Sequence, residues 1–123
     1  HALLGTTTLR EVLAHPRFGF SWEGFALDAV IRAAGAEKDA YFYRTHAGAE
    51  VDLVVMRGGR RHGFEFKFAD APTMTRSMHT AIQDLDLTSL KIVYPGDRTW
   101  KLAEKIEAVP LTRIIDTARA LNR

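Results

Sequence analysis

The stretch that most constrains the fold is AEVDLVVMRGGRRHGFEFKF, Ala49 to Phe68. Val51, Leu53 and Val55 alternate with Glu50, Asp52 and Val54, and Phe64, Phe66 and Phe68 alternate with Glu65 and Lys67. Period-two alternation marks strands with a buried face. Gly58-Gly59 between them suits a two-residue hairpin turn, which requires positive φ. With that loop, Arg57 faces Arg60, Leu53 faces Phe64, Val51 faces Phe66, Asp52 faces Glu65 and Glu50 faces Lys67. The apolar residues then share one face and the charged residues the other, unless a bulge intervenes.

This register sets two carboxylates opposite each other, where like charges destabilise a strand pair, with a lysine one step away. Carboxylates so opposed can hold a hard cation such as Mg²⁺ and polarise a phosphate or a water. The plainer reading is a solvated hairpin face, since E-x-K occurs by chance in many chains.

The 123 residues suffice for one modest core. A hydrophobic fraction of 46% and a charged fraction of 26% are ordinary for a globular protein. Net charge is +2 with mixed signs, which permits a nucleic-acid partner without arguing for one. The absence of cysteine excludes disulfides and thiolate metal sites, and fits a cytoplasmic setting. No apolar run approaches the roughly 20 residues of a membrane span, and no signal peptide is visible. The opening at His1 suggests an excised domain, with His1 left from a tag.

Residues 1–20 read as a helical lead-in and 21–123 as the main domain. Thr8 and Glu11 form a capping box for a short helix that Pro16 stops; His15 reads as a helix-end residue. Ser21 caps a helix to Ala34, with Trp22, Phe25, Ala26, Ala29, Val30 and Ala33 as its apolar stripe and Gly35 as its stop. Glu23 lies beside that stripe. It suits the positive helix end, or else supplies a third carboxylate to the hairpin site. Ala40 to Thr45 is an aromatic strand, and His46 a solvated loop histidine.

Thr73 to about Leu87 reads as a helix packing through Met74, Met78, Ile82 and Leu85, with the methionines as core filler. Ser89 to Tyr94 is a strand ended by Pro95-Gly96, reached by a crossover of the right-handed kind. One of Trp100–Leu102 and Ile106–Pro110 is an edge strand. Thr112 to Leu121 is a final helix with Ile114, Ile115, Ala118 and Leu121 inward. The fold class is α/β (α+β), a mixed sheet with an antiparallel hairpin core flanked by helices. No P-loop and no zinc-ligand spacing is present.

A helix bearing Glu23, an antiparallel run carrying Asp52 in GAEVDLV and then Glu65 and Lys67 in FEFKF, a helix and a further strand resemble the PD-(D/E)XK nuclease superfamily, with its restriction-endonuclease-like fold. More narrowly, HPRFGFSWEGFAL, GAEVDLVV and FEFKFA resemble the uncharacterised C-terminal domain behind the core of prokaryotic AAA+-type ATPases. The resemblance spans about Leu3 to Thr112. The order and spacing of the motifs are more specific than any one of them.

The resemblance implies that Asp52, Glu65 and the Phe66 backbone carbonyl bind Mg²⁺, or Mn²⁺, and that Glu23 completes the shell. Lys67 would orient water or stabilise phosphate charge. Glu50 would support Lys67 from the second layer. Val51 stands where the superfamily's proline is usual. The expected function is a Mg²⁺-dependent nuclease-like domain acting on or binding DNA, joined in the same chain to an AAA+-type ATPase core. The alternative is a catalytically inactive regulatory or partner-docking domain of that ATPase; a toxin–antitoxin or defence component fits the same residues. Arg57, Arg60, Arg61 and His62 at the hairpin tip are candidate phosphate contacts, against the plainer reading of a solvated turn.

Overall fold

The computed structural model describes residues 21–44 and 49–122. The expected lead-in helix with Thr8, Glu11 and His15, and the loop histidine His46, lie outside the described residues. In chain order the elements are α1 (Trp22–Ala34), β1 (Ala40–Arg44), β2 (Glu50–Arg57), β3 (Arg60–Phe66), α2 (Arg76–Leu85), β4 (Ser89–Tyr94), β5 (Trp100–Ala103), β6 (Ile106–Pro110) and α3 (Leu111–Leu121). The strands form one six-stranded sheet in the order β1-β2-β3-β4-β6-β5. Pairing is antiparallel from β1 to β3, parallel from β3 through β4 to β6, and antiparallel again at the edge strand β5. The class is the expected α+β one. Both late segments are strands, and β6 lies inside the sheet rather than at its edge.

The hairpin register runs as the glycine turn requires, from Arg57 opposite Arg60 to Leu53 opposite Phe64. Gly58 and Gly59 hold φ of 57° and 77°, the paired left-handed conformation of a type I′ turn. Below Leu53 the regular alternation fails. Tyr41 pairs with Val54 but Tyr43 with Val51, so Asp52 and Leu53 together oppose Phe42, a β-bulge in β2. The bulge turns Val51 to the opposite side from Leu53. Val51 joins Tyr43 and Val54 beneath α2, whereas Leu53, Val55, Phe64 and Phe66 pack beneath α1 and α3.

The sheet is therefore covered on both faces, with Met78, Ala81 and Leu85 of α2 packed on one of them. Of the charged residues expected on the solvated hairpin face, Glu50, Asp52 and Lys67 are exposed and Glu65 is buried. Tyr43 fastens α2 by donating its hydroxyl to Asp84 at 3.3 Å.

Helix boundaries follow their caps. Ser21 accepts from Gly24 N–H at the start of α1, and Gly35 closes it with φ of 61°. The buried face of α1 is Ala26, Leu27, Val30, Ile31 and Ala34, one position round from the expected stripe, and Phe25 is 58% exposed. The true face is the one that Leu27 and Ile31 share, because two large aliphatics outweigh Phe25 and the alanines. Thr75 caps α2, so that helix starts three residues later than expected and Met74 is left outside it, 42% exposed. Phe68, expected inward with Phe64 and Phe66, lies beyond the end of β3 and is 67% exposed.

Candidate functional site

The bulge places Asp52 where the β2–β3 ladder ends, and side chains take over the backbone's hydrogen bonds there. Asp52 N–H donates to Glu65 Oε1 at 3.1 Å, and Phe66 N–H donates to Asp52 Oδ2 at 2.9 Å. Each carboxylate thus bridges to the other's strand, so Asp52 and Glu65 meet through side-chain hydrogen bonds although the backbone ladder itself ends at Leu53–Phe64. Lys67 N–H turns to β4, donating to Val93 O at 2.9 Å, while its side chain reaches solvent.

The like-charge conflict of the pair is met by a shared proton. Burial and the Asp52 carboxylate push Glu65 up to about 8, with Lys67 opposing the rise. The protonated Glu65 carboxyl then donates to Asp52. Burial also raises Asp52, against the downward pull of Phe66 N–H, Glu65 and Lys67. Asp52 is exposed, so water screens part of that push. Glu65, only 6% exposed, is the member on which the second charge weighs most.

Glu23 comes to the same end of β3 but not into the pair. Its Oε2 accepts Phe68 N–H at 3.2 Å, which fixes the chain just past Lys67. Among the described residues, no group of three or more His, Cys, Asp or Glu side chains is arranged to hold a metal ion. Glu50, set against Lys67 by the hairpin register, instead ion-pairs with Arg44 at 3.1 Å across β1–β2, and its N–H donates to Ser77 Oγ at 3.0 Å. The bulge removes the pairing on which the Glu50–Lys67 expectation stood.

Two of the three hairpin-tip arginines, Arg57 and Arg61, bind helix ends. Arg57 donates to Asp39 at 2.7 Å and to the carbonyls of Ala34 and Gly35, closing the C-terminus of α1. Arg61 donates to Leu85 O at 2.8 Å, at the C-terminus of α2. Arg60 is exposed. His62 is half-buried and held below its usual range by burial, then by Arg60 and Lys91. At about 3.3 Å per residue, the tip lies some ~16 Å along the strand from Asp52.

One feature of this region was missed in the sequence. A cleft of about 550 Å³ lies past the ends of β3 and β4, lined by Asp70, Tyr94, Arg98, Thr99 and Trp100 among others. Its loop is pinned from both sides. The Tyr94 hydroxyl donates to Arg98 O at 2.5 Å, and Arg113 donates to Thr99 Oγ1 at 2.7 Å and to Asp97 O at 3.0 Å. The signal available was an aromatic residue at each end of a short Pro-Gly loop.

The family described as "Domain of unknown function (DUF4143)" matches residues 18–114. An uncharacterized protein of Mycobacterium tuberculosis, Rv2008c, is 41% identical over 117 residues, 95% of this chain and 26% of its own length. An uncharacterized protein of Mycobacterium bovis, Mb2031c, matches with the same figures. The chain thus spans about a quarter of the length of these curated relatives. No solved structure matches.

Proposed function

The chain belongs to the DUF4143 family, and from that premise and the site's geometry we propose that it is a divalent-metal-dependent, nuclease-like module acting on DNA. The observation that carries this reading is the bridged Asp52–Glu65 pair beside Lys67, at the end of the sheet where a bulge opens the hairpin. On this reading the domain is of the PD-(D/E)XK kind, works in the cytoplasm, and is the C-terminal part of a longer AAA+-type ATPase.

The donor set fits a hard cation. Two carboxylates that together retain a proton form a site in which a dication can replace that proton and relieve the buried charge. Mg²⁺ is commonly held by one or two carboxylates while keeping several waters. Asp52, Glu65 and the Phe66 carbonyl would hold it. When bound, it lowers the pKa of a water and neutralises charge on the phosphate. In the hydrolysis, the water oxygen forms a new P–O bond, the bridging P–O bond breaks, and the leaving oxygen takes up a proton. Lys67 places its ammonium against the phosphate oxygens as charge develops there. Glu23 acts as a positioning residue by holding Phe68 N–H, and with it the backbone next to Lys67.

The test is incubation of the chain with Mg²⁺ or Mn²⁺ and linear, circular or single-stranded DNA. Cleavage is expected in the wild type and a loss of about a hundredfold or more in Asp52→Ala and Lys67→Ala. Intact DNA at high protein excess, or undiminished cleavage by Asp52→Ala, sinks the hydrolytic reading.

A second reading has its own observation. Glu23 stands outside the carboxylate pair, bound to backbone, which suits an inactive regulatory or docking domain of a longer protein. It predicts that Asp52→Ala leaves the activity of the full-length protein unchanged.

A further inference from the structure

Two large aromatic side chains, Phe25 and Phe68, stand exposed; Phe68 follows Glu65 by three residues, and a third ring is packed against it. Phe68 is 67% exposed and Phe25 58% exposed. Trp22 lies one helical turn before Phe25 on α1, so the two share a face. The Trp22 ring meets the Phe68 ring at 5.9 Å between centroids, tilted by 47°. Burial normally takes such rings out of water. Here Phe68 is held in an exposed position: its N–H is tied to Glu23 at 3.2 Å, and its ring packs against that of Trp22.

Phe68 directly follows Lys67. The cation and the ring therefore leave the chain at consecutive positions, within the span of one nucleotide. We infer that Trp22, Phe25 and Phe68 form a stacking platform for unpaired bases of a single nucleic-acid strand whose phosphate lies at Lys67 and the Asp52–Glu65 pair. The inference rests on the reading of that pair as a phosphodiester site. It adds the substrate class, single-stranded rather than duplex.

The reasoning is geometric and chemical. Every base has a π face, so a ring platform binds single strands without sequence preference, whereas a duplex keeps its bases stacked inside. The group is small, and it is linked to charged side chains: Phe68 directly follows Lys67 and its N–H is held by Glu23. That suits a few bases flanked by phosphates better than a protein interface, whose core is depleted in charge and much larger.

The experiment measures binding of fluorescein-labelled dT15 and of a 15-base-pair duplex by anisotropy, with Ca²⁺ in place of Mg²⁺ or Mn²⁺ to neutralise the carboxylate pair, and with the DNA verified intact so that cleavage plays no part. Wild type is expected to prefer dT15. Phe68→Ala and Phe25→Ala should each weaken dT15 binding about fivefold or more, and Phe68→Trp should restore it. Both phenylalanines are exposed, so circular dichroism should show unchanged folding. Equal affinity for duplex and dT15, or dT15 binding indifferent to Phe68→Ala and Phe25→Ala, overturns the platform and leaves the rings to a protein partner. Cleavage in Mn²⁺ is scored separately. Ring-dependent dT15 binding without cleavage supports the platform while removing the hydrolytic reading. Cleavage of dT15 that Phe68→Ala fails to slow at subsaturating substrate counts against the platform while sparing that reading.

Discussion

Glu65 is the buried charged side chain among the described residues, and the consequences of that burial can be measured. Its carboxyl titrates near 8 when folded, against an ordinary 4.5. An acid whose pKa rises on folding holds its proton more tightly in the folded chain. Below 4.5 both states are protonated and nothing is lost. Between 4.5 and 8 the unfolded chain releases a proton that the folded chain keeps, so stability falls with rising pH. Above 8 the full penalty, about a few kcal/mol, is present. Glu65→Gln keeps an acceptor for Asp52 N–H and carries no charge. Its urea stability relative to wild type is expected to be larger at pH 9 than at pH 6, and parallel curves would refute the assignment. In the same way, Mn²⁺ should raise the melting temperature of wild type more at pH 8.5 than at pH 6, because less proton must be displaced; Glu65→Gln should lose most of that rise.

Among the elements, the hairpin tip separates two arginines that look alike in the sequence. Arg57 closes α1 through the carbonyls of Ala34 and Gly35 and pairs with Asp39, whereas Arg60 opposite it is exposed. Arg57→Ala is expected to cost about 1–3 kcal/mol, the value of hydrogen bonds from a charged group to helix-end carbonyls. Arg60→Ala should fall within about 0.5 kcal/mol of wild type. Chemical denaturation compares them, and equal costs would contradict the capping role. The turn itself was legible, since Gly58-Gly59 between alternating runs admits few solutions. The bulge at Asp52 and Leu53 was not: it depends on β1, which contributes only Phe42 where β2 contributes two residues. That pairing also explains why Glu50 finds Arg44 and not Lys67.

For the molecule as a whole, one sheet carries two cores. Leu53 and Phe64 pack under α1 and α3, and Leu90 and Ile92 under α2. Because the same strands floor both layers, loss of either is communicated through the sheet. Leu53→Ala and Leu90→Ala, both fully buried sites, should each cost about 2–5 kcal/mol, add when combined, and shift a single transition. Far-UV circular dichroism and tryptophan fluorescence should report the same midpoint in each variant. Separate midpoints would show that the layers unfold independently. Among the described residues no helix is long and apolar enough to cross a membrane.

Local chemistry in the sequence determined the hairpin strands, the glycine turn with its register from Arg57–Arg60 to Leu53–Phe64, and the caps at Ser21 and Gly35, because each depends on residues close to the turn or the helix end. It also singled out Glu23, Asp52, Glu65 and Lys67, on residue type and order. Only the tertiary structure decided which of these meet. Coverage of both sheet faces buried Glu65 and made its charge costly. The bulge opened Asp52 to solvent and to Phe66 N–H. The end of β3 sent Phe68 outward and left Glu23 holding backbone. These outcomes turn on contacts between segments as distant as Glu23 and Phe68, and no local pattern encodes the burial that sets a carboxyl's charge.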